Sequence, residues 1–524
     1  MTDRWYRMRL FSRADASREQ RGTRTRARGV VLGAAAAALV LTACGGGGES
    51  ASGKAVDDAH LTLASSAISN SLDPAAALSS VGRTYTKQVF DQLVTFDDAG
   101  ALQPGLATEW KRVDDTSVDF TLREGVTFSS GATLDAAAVV ANVERVLSGD
   151  PAYATVAGRI STVKEAKAVS PDVVRIVTSG PDAVLLNRMT LLDIVDPATF
   201  GGDRPSGTGP FEVTAYEPGT KIELARNDDS WRASDAVKTV TIQAIPNPTT
   251  LASALRTGEA DVIFGLPADI AKQLGSSGFT NIHEPAGSAA ITSLIADAEP
   301  ALADVRVRQA INLAINREEF VDAALGGFGT PNGSQLLQEG YLGYDDSLPS
   351  YDFDLDRAKS LIAEAGAEGL ELPIATTAMF KSQAEAVAGY LNAVGFKSEV
   401  VVQDISAFIP TLLQKSEYPL LYWQTDYYDL RDITSVSRFG ATAPGQQAHI
   451  PVNDYQKLFA QQAGQLDEKA READIKQMAK ILNEEAGVLF LAWPDNLYTV
   501  APRISELPLS GDSLIQAEAI VVTE

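Results

Sequence analysis

The chain has 524 residues, 45% of them hydrophobic and 21% charged. That composition excludes a collagen-like, disordered or polytopic membrane protein, and the length exceeds the roughly 250–300 residues at which single cores stop growing, so two or three lobes are expected. The net charge is −24, yet residues 1–43 carry nine arginines against Asp3, Asp15 and Glu19, a net of +6 that leaves the remainder at −30. A body that acidic repels nucleic acid and anionic lipid.

In chain order, a basic stretch from Arg4 to Arg28 precedes an apolar run, Gly29 to Leu41, too short for a comfortable permanent membrane span. Leu41-Thr42-Ala43-Cys44 follows, then Gly45-Gly46-Gly47-Gly48-Glu49-Ser50. This resembles the lipobox of bacterial lipoproteins. The resemblance implies that 1–43 is a signal peptide, that Cys44 receives a lipid, and that 44–58 is a flexible tether. A signal-anchor helix is the alternative. Cys44 is the only cysteine, and His60, His283 and His449 stand far apart in no local motif. The chain thus has no internal disulfide or thiolate cluster, and with no Gly-x-Ser-x-Gly elbow it is not expected to be an enzyme. No metal site or cofactor is expected.

Alternation predicts a strand over His60 to Ala67, and Thr84 to Leu93 reads as a helix. Thr108 to Leu122 reads as a hairpin about Asp114-Asp115, and Asp135 as the N-cap of a helix running through Leu147. Val163 to Val177 supplies two strands, Phe211 to Tyr216 and Lys221 to Arg226 a hairpin, and Val237 to Ile245 another strand. A helix Leu251 to Thr257 and a strand Asp261 to Phe264 follow. Further helices are expected at 304–314, 317–325, 356–365, 382–394, 406–414, 453–464 and 468–485, with strands at 370–376, 397–403, 419–424 and 488–493. Asp304 is the expected cap of the first of these helices, with Arg306 and Arg308 on its polar face. The alternation predicts open α/β sheets covered by helices. Gly207 and Gly209 suit a tight turn. With no helix and no Lys-Ser/Thr after them, they do not form a phosphate loop.

Six blocks in order carry a wider resemblance. They are residues 102–147, 207–231 (GTGPFEVTAYEPGTKIELARNDDSW), 304–317 (DVRVRQAINLAINR), 351–366 (YDFDLDRAKSLIAEAG), 384–396 and Trp423-Gln424-Thr425-Asp426-Tyr427. Together they resemble the bacterial extracellular solute-binding proteins of family 5, the oligopeptide- and dipeptide-binding group. The resemblance implies an α/β fold of the periplasmic-binding-protein type II, with two lobes of mixed open sheet and the extra small α/β subdomain of the peptide-binding group. It places lobe I at 59–88, 205–286 and 495–524, the subdomain at 89–204 and lobe II at 287–494. Two crossing segments fall near 284–292 and 488–496.

The function so implied is that of a monomeric substrate-binding lipoprotein of an ABC importer. It would be held on the outer face of the cell membrane and deliver peptides to the permease subunits. In peptide-binding members an aspartate in the Trp-x-x-Asp-Tyr segment pairs with the peptide's amino terminus, which here is Asp426. The backbone of Tyr422 to Gln424 would be one rail for an extended ligand, with Leu78, Ser79 and Ser80 the opposite rail. Trp423, Tyr427 and Tyr428 would line side-chain pockets, although such a cluster also suits strand-end core and a loop acid also suits a cap. Leu420 stands where the oligopeptide group has arginine, leaving Lys381, Arg431 and Arg438 as carboxylate receivers. Opines, oligosaccharides and nickel chelates are carried on the same scaffold, so a non-peptide solute remains the alternative.

Overall fold

The structure is a computed structural model that describes residues 56–77, 80–97, 99–413, 416–426, 430–436 and 453–523. Cys44, Leu78, Ser79 and Tyr427 lie outside the described residues, as do Tyr428, Arg438 and His449. Among those described, no helix is long and apolar enough to cross a membrane.

Twelve strands join in one mixed sheet. Its main path runs Val400–Gln403, Ile374–Thr377, Leu420–Asp426, Ser288–Leu294, Val488–Val500, Val262–Phe264, Ala59–Ser65, Val237–Ala244, Lys221–Arg226 and Phe211–Glu217. Ala59–Ser65 is parallel to both Val237–Ala244 and Val262–Phe264. Its residues Leu61, Leu63 and Ala64 are wholly buried, as a strand covered on both faces requires. At the other end Ile374–Thr377 is parallel to Val400–Gln403 and Leu420–Asp426.

The strand Val488–Val500 belongs to both ends. Its first part pairs with Ser288–Leu294, its last part with Thr280–Pro285 and Val262–Phe264. Between the two partner strands lie only Ala286 and Gly287, the latter at φ +59, a left-handed conformation that favours glycine. Two antiparallel strands therefore cross side by side between two cores. One core gathers Leu61, Tyr85, Val240 and Ile515, the other Ile311, Leu391, Tyr422 and Leu489. The strand expected to stop at 493 runs on to Val500. It continues through Pro494, whose carbonyl accepts from Ala286 N at 3.0 Å.

A separate four-stranded sheet, Ala107–Asp114, Ser117–Leu122, Val173–Thr178 and Val163–Ser170, packs under the helix Ala136–Val146. Asp135 caps that helix, accepting from Ala138 N at 2.8 Å. Two expectations are corrected. The helix expected over 84–93 spans Ser80–Val89 and ends where Gly207 and Gly209 press on its last turn: a Cβ on Gly209 would lie 2.6 Å from Val89 C. Arg308 is not on a polar face but buried, donating to the carbonyls of Leu302, Ala303 and Glu485.

Candidate functional site

The strand Leu420–Asp426 holds Leu420, Tyr422, Trp423, Gln424 and Asp426, five of the residues singled out in the sequence. Its alternation sends Tyr422 into one apolar layer and Trp423 into another, so the strand is core on both faces. Trp423 donates its indole N–H to Ser293 Oγ at 2.9 Å, and the Tyr422 ring packs 5.9 Å from that of Phe380. Burial pushes the Tyr422 hydroxyl pKa well up, with Gln424 acting against it. Gln424 is half-buried. Leu420 is wholly buried between Leu294 and Ile374. The strand ends at Asp426, whose backbone pairs with Ser288, the first residue beyond the Ala286-Gly287 crossing.

The carboxyl edge of this sheet continues through register-paired residues. Thr377 lies opposite Gln403, and two residues beyond each of them stand Met379 and Ile405, 78% and 63% exposed. Val402 and Ile409 beside them are exposed too. Among the described residues, four of the seven large apolar side chains found exposed thus lie at this one edge, where open α/β sheets take their ligands. The sequence reading did not single them out. Their signal is an apolar residue two positions past the end of each of two successive strands, Ile374–Thr377 and Val400–Gln403.

Ser80 begins the helix Ser80–Val89 in the first lobe. Buried charges pin this helix in place. Arg83 meets Asp512 at 2.5 Å, Lys87 Nζ donates to Thr95 at 3.2 Å, and Gln88 donates to Ile515 O at 2.8 Å. Behind its end, Asp91 accepts from the Trp231 indole at 2.8 Å and from Thr208 at 2.7 Å and pairs with Arg232 at 2.9 Å. Burial lowers the Lys87 pKa and raises that of Asp193. Arg83, Lys87 and Asp91 recur every four residues, a signal legible in the sequence but not used there.

The lobes also touch away from the crossing. Leu430 packs between Val184 and Leu191, and Ala183 N donates to Ala463 O at 2.9 Å.

A family model described as "Bacterial extracellular solute-binding proteins, family 5 Middle" matches residues 101–446. The chain belongs to this family. Among its relatives, the nickel-binding periplasmic protein of Escherichia coli is 25% identical over 460 residues, covering 80% of this chain and 86% of that protein. The dipeptide-binding protein of the same organism is 26% identical over 322 residues, covering 55% and 60%. Among solved structures, NikA from Brucella suis with Fe(III)-EDTA matches with a TM-score of 0.78 at 25% identity, over 89% of this chain and 100% of that one. DppA from Helicobacter pylori with the peptide STSA matches with a TM-score of 0.73 at 22% identity, over 89% and 99%. As a family 5 protein, the chain is a solute-binding component of ABC transporters with the type II periplasmic-binding fold. Its crossing strands run between the two cores.

Proposed function

We propose that this protein is a lipid-anchored receptor that captures di- and oligopeptides between lobes I and II and presents them to the permease outside the cytoplasm. The observation that carries the reading is the position of Asp426. It ends a central strand at the sheet's carboxyl edge, in register with Ser288 and beside the crossing strands. A carboxylate there meets a peptide ammonium as the lobes shut, and losing one partner of such a buried pair costs about 2–5 kcal/mol. On this reading Gln424, half-buried on the same strand, and the start of the helix Ser80–Val89 belong to the two rails. The exposed Met379 and Ile405 offer apolar surface for peptide side chains. The lobe boundaries follow the crossing: 59–88, 205–286 and 495–524 for lobe I, 89–204 for the subdomain, and 287–494 for lobe II.

Native mass spectrometry of protein taken from cells tests the ligand. Bound masses are expected in the range of short peptides, and a metal chelate or sugar alone would defeat the reading. The second reading, a non-peptide solute, is favoured by Leu420, which is apolar and sealed in the core where the oligopeptide group has a carboxylate-binding arginine. Replacing Cys44 with Ser tests the anchor: lipid labelling should vanish and the protein leave the membrane fraction.

A further inference from the structure

Leu430 and Arg431 lie at the seam between the lobes, and each contacts a different part of the opposite face. Leu430, 2% exposed, sits in an apolar cluster with Val184 and Leu191, and its carbonyl accepts from Asn187 Nδ2 at 2.8 Å. Arg431 reaches the other way. Its Nη1 donates to the carbonyl of Gly511, and its guanidinium lies 4.8 Å from the Tyr341 ring centroid and 5.9 Å from that of Phe96. Gly511 lies between Leu509 and Ile515, which pack in the lobe I core.

The opposing surface is shaped to receive this side chain. A Cβ on Gly100 would overlap the Arg431 guanidinium, and one on Gly511 would overlap the carbonyl of Asp97. The mount is stiff as well. Arg431 has φ +48, a left-handed conformation that costs a side-chain-bearing residue about 1–2 kcal/mol and persists where neighbours enforce it. Here the neighbour is Asp432, buried and held through both oxygens by Arg471 at 2.7 and 2.8 Å, while also capping the Thr434 N–H at 2.9 Å.

We infer that Leu430-Arg431 is an interlobe clasp that sets how much of the protein is shut, and hence how tightly it holds its solute. The clasp rests on the reading of a hinged receptor. Its contacts to Val184, Asn187, Phe96 and Gly511 exist only with the lobes together, so they favour the closed state whatever the solute. Apparent solute affinity scales with the population competent to hold it. Because one dipeptide grips both the 183–191 segment and the surface at Phe96, Gly100 and Gly511, releasing either grip must loosen the other.

Hydrogen exchange on the full chain, without solute, tests this coupling. Arg431→Ala should speed exchange about tenfold, a typical coupling between sites, both at Phe96–Gly100 and at the remote segment 183–191. Asn187→Ala, altered on the opposite face, should speed exchange at Phe96–Gly100 as well as locally. Amides of Leu420–Leu421 and Val488–Phe490 should stay protected in both, reporting an intact core. Loosening confined to the mutated side in both variants would reduce the pair to local packing and overturn the clasp. If Arg431→Ala does not fold, Asn187→Ala decides alone by the same criterion. Because no solute is present, failure of the peptide reading leaves this result unchanged, and the converse holds too.

Discussion

Arg308 carries a structural load that its neighbours in sequence conceal. Its Nε and Nη1 donate to three carbonyls at 2.9–3.0 Å, and Nη2 reaches Glu485 at 3.1 Å. Replacing it with methionine preserves bulk but orphans those carbonyls, at about 1–3 kcal/mol for each group left unpaired. Arg308→Met is therefore expected to lower unfolding stability by at least about 3 kcal/mol in urea melts, and Arg308→Lys to recover part of it, since an ammonium cannot reproduce the planar fork. The sequence placed Arg306 and Arg308 on one polar face. Residues two apart on a helix point about 200° away from each other, so only one of them could face solvent. Arg306 does, paired with Asp304.

Asp512 gives a pH dependence of definite sign. Burial alone would raise its pKa, but the charges of Arg83 and Lys87, with hydrogen bonds from Ser510 and Arg83, outweigh burial and hold it down to about 2. The unfolded value is about 3.9, so the ionised group stabilises the fold above about pH 4 and loses that contribution as pH falls toward the folded value. The difference in melting temperature between wild type and Asp512→Asn should be constant from about pH 5 to 7 and shrink below about pH 4. A difference independent of pH down to acid would remove the ion pair from the account.

Elements whose own residues set their structure were legible. The hairpins at 107–122 and 211–226 follow period-two patterning, and Asp135 and Asp304 cap the helices they precede. Elements set by tertiary contact were not. Trp493-Pro494-Asp495-Asn496 reads as a break, yet the strand passes through it because its pairing changes there from Ser288–Leu294 to Thr280–Pro285. Of the site, the strand bearing Asp426 was legible as a motif. The burial of Trp423 was not, because a face buried against a second layer looks in sequence like one lining a pocket. The helix Ser80–Val89 extends the same point, since its end is fixed by glycines more than a hundred residues away. Gly209→Ala would put a Cβ 2.6–2.8 Å from backbone atoms of Gln88 and Val89. Backbone cannot rotate aside, so a loss of about 1–3 kcal/mol is expected, read as a lower melting temperature. An Ala substitution at Asp135 should cost less, about 1 kcal/mol.

At the scale of the whole molecule, two cores joined by paired strands make solute binding and stability one measurement. A solute that bridges the lobes binds the folded chain and not the unfolded one, so at a hundred times its dissociation constant it adds about 2.7 kcal/mol. If the solute is a peptide whose ammonium meets Asp426, a mixture of free-amine tri- to pentapeptides should raise the melting temperature of the wild type. The same peptides N-acetylated should raise it far less, because acetylation removes the charge that makes the pair worthwhile. In Asp426→Ala the preference should disappear, with both mixtures giving the same small shift. Asp426 is the last residue of its strand, and if its role is to meet the solute the unliganded melting temperature of the variant should move little. A large unliganded loss with the preference for free amines intact would make Asp426 a structural cap. A shift insensitive to acetylation in the wild type would point to a solute recognised by other chemistry.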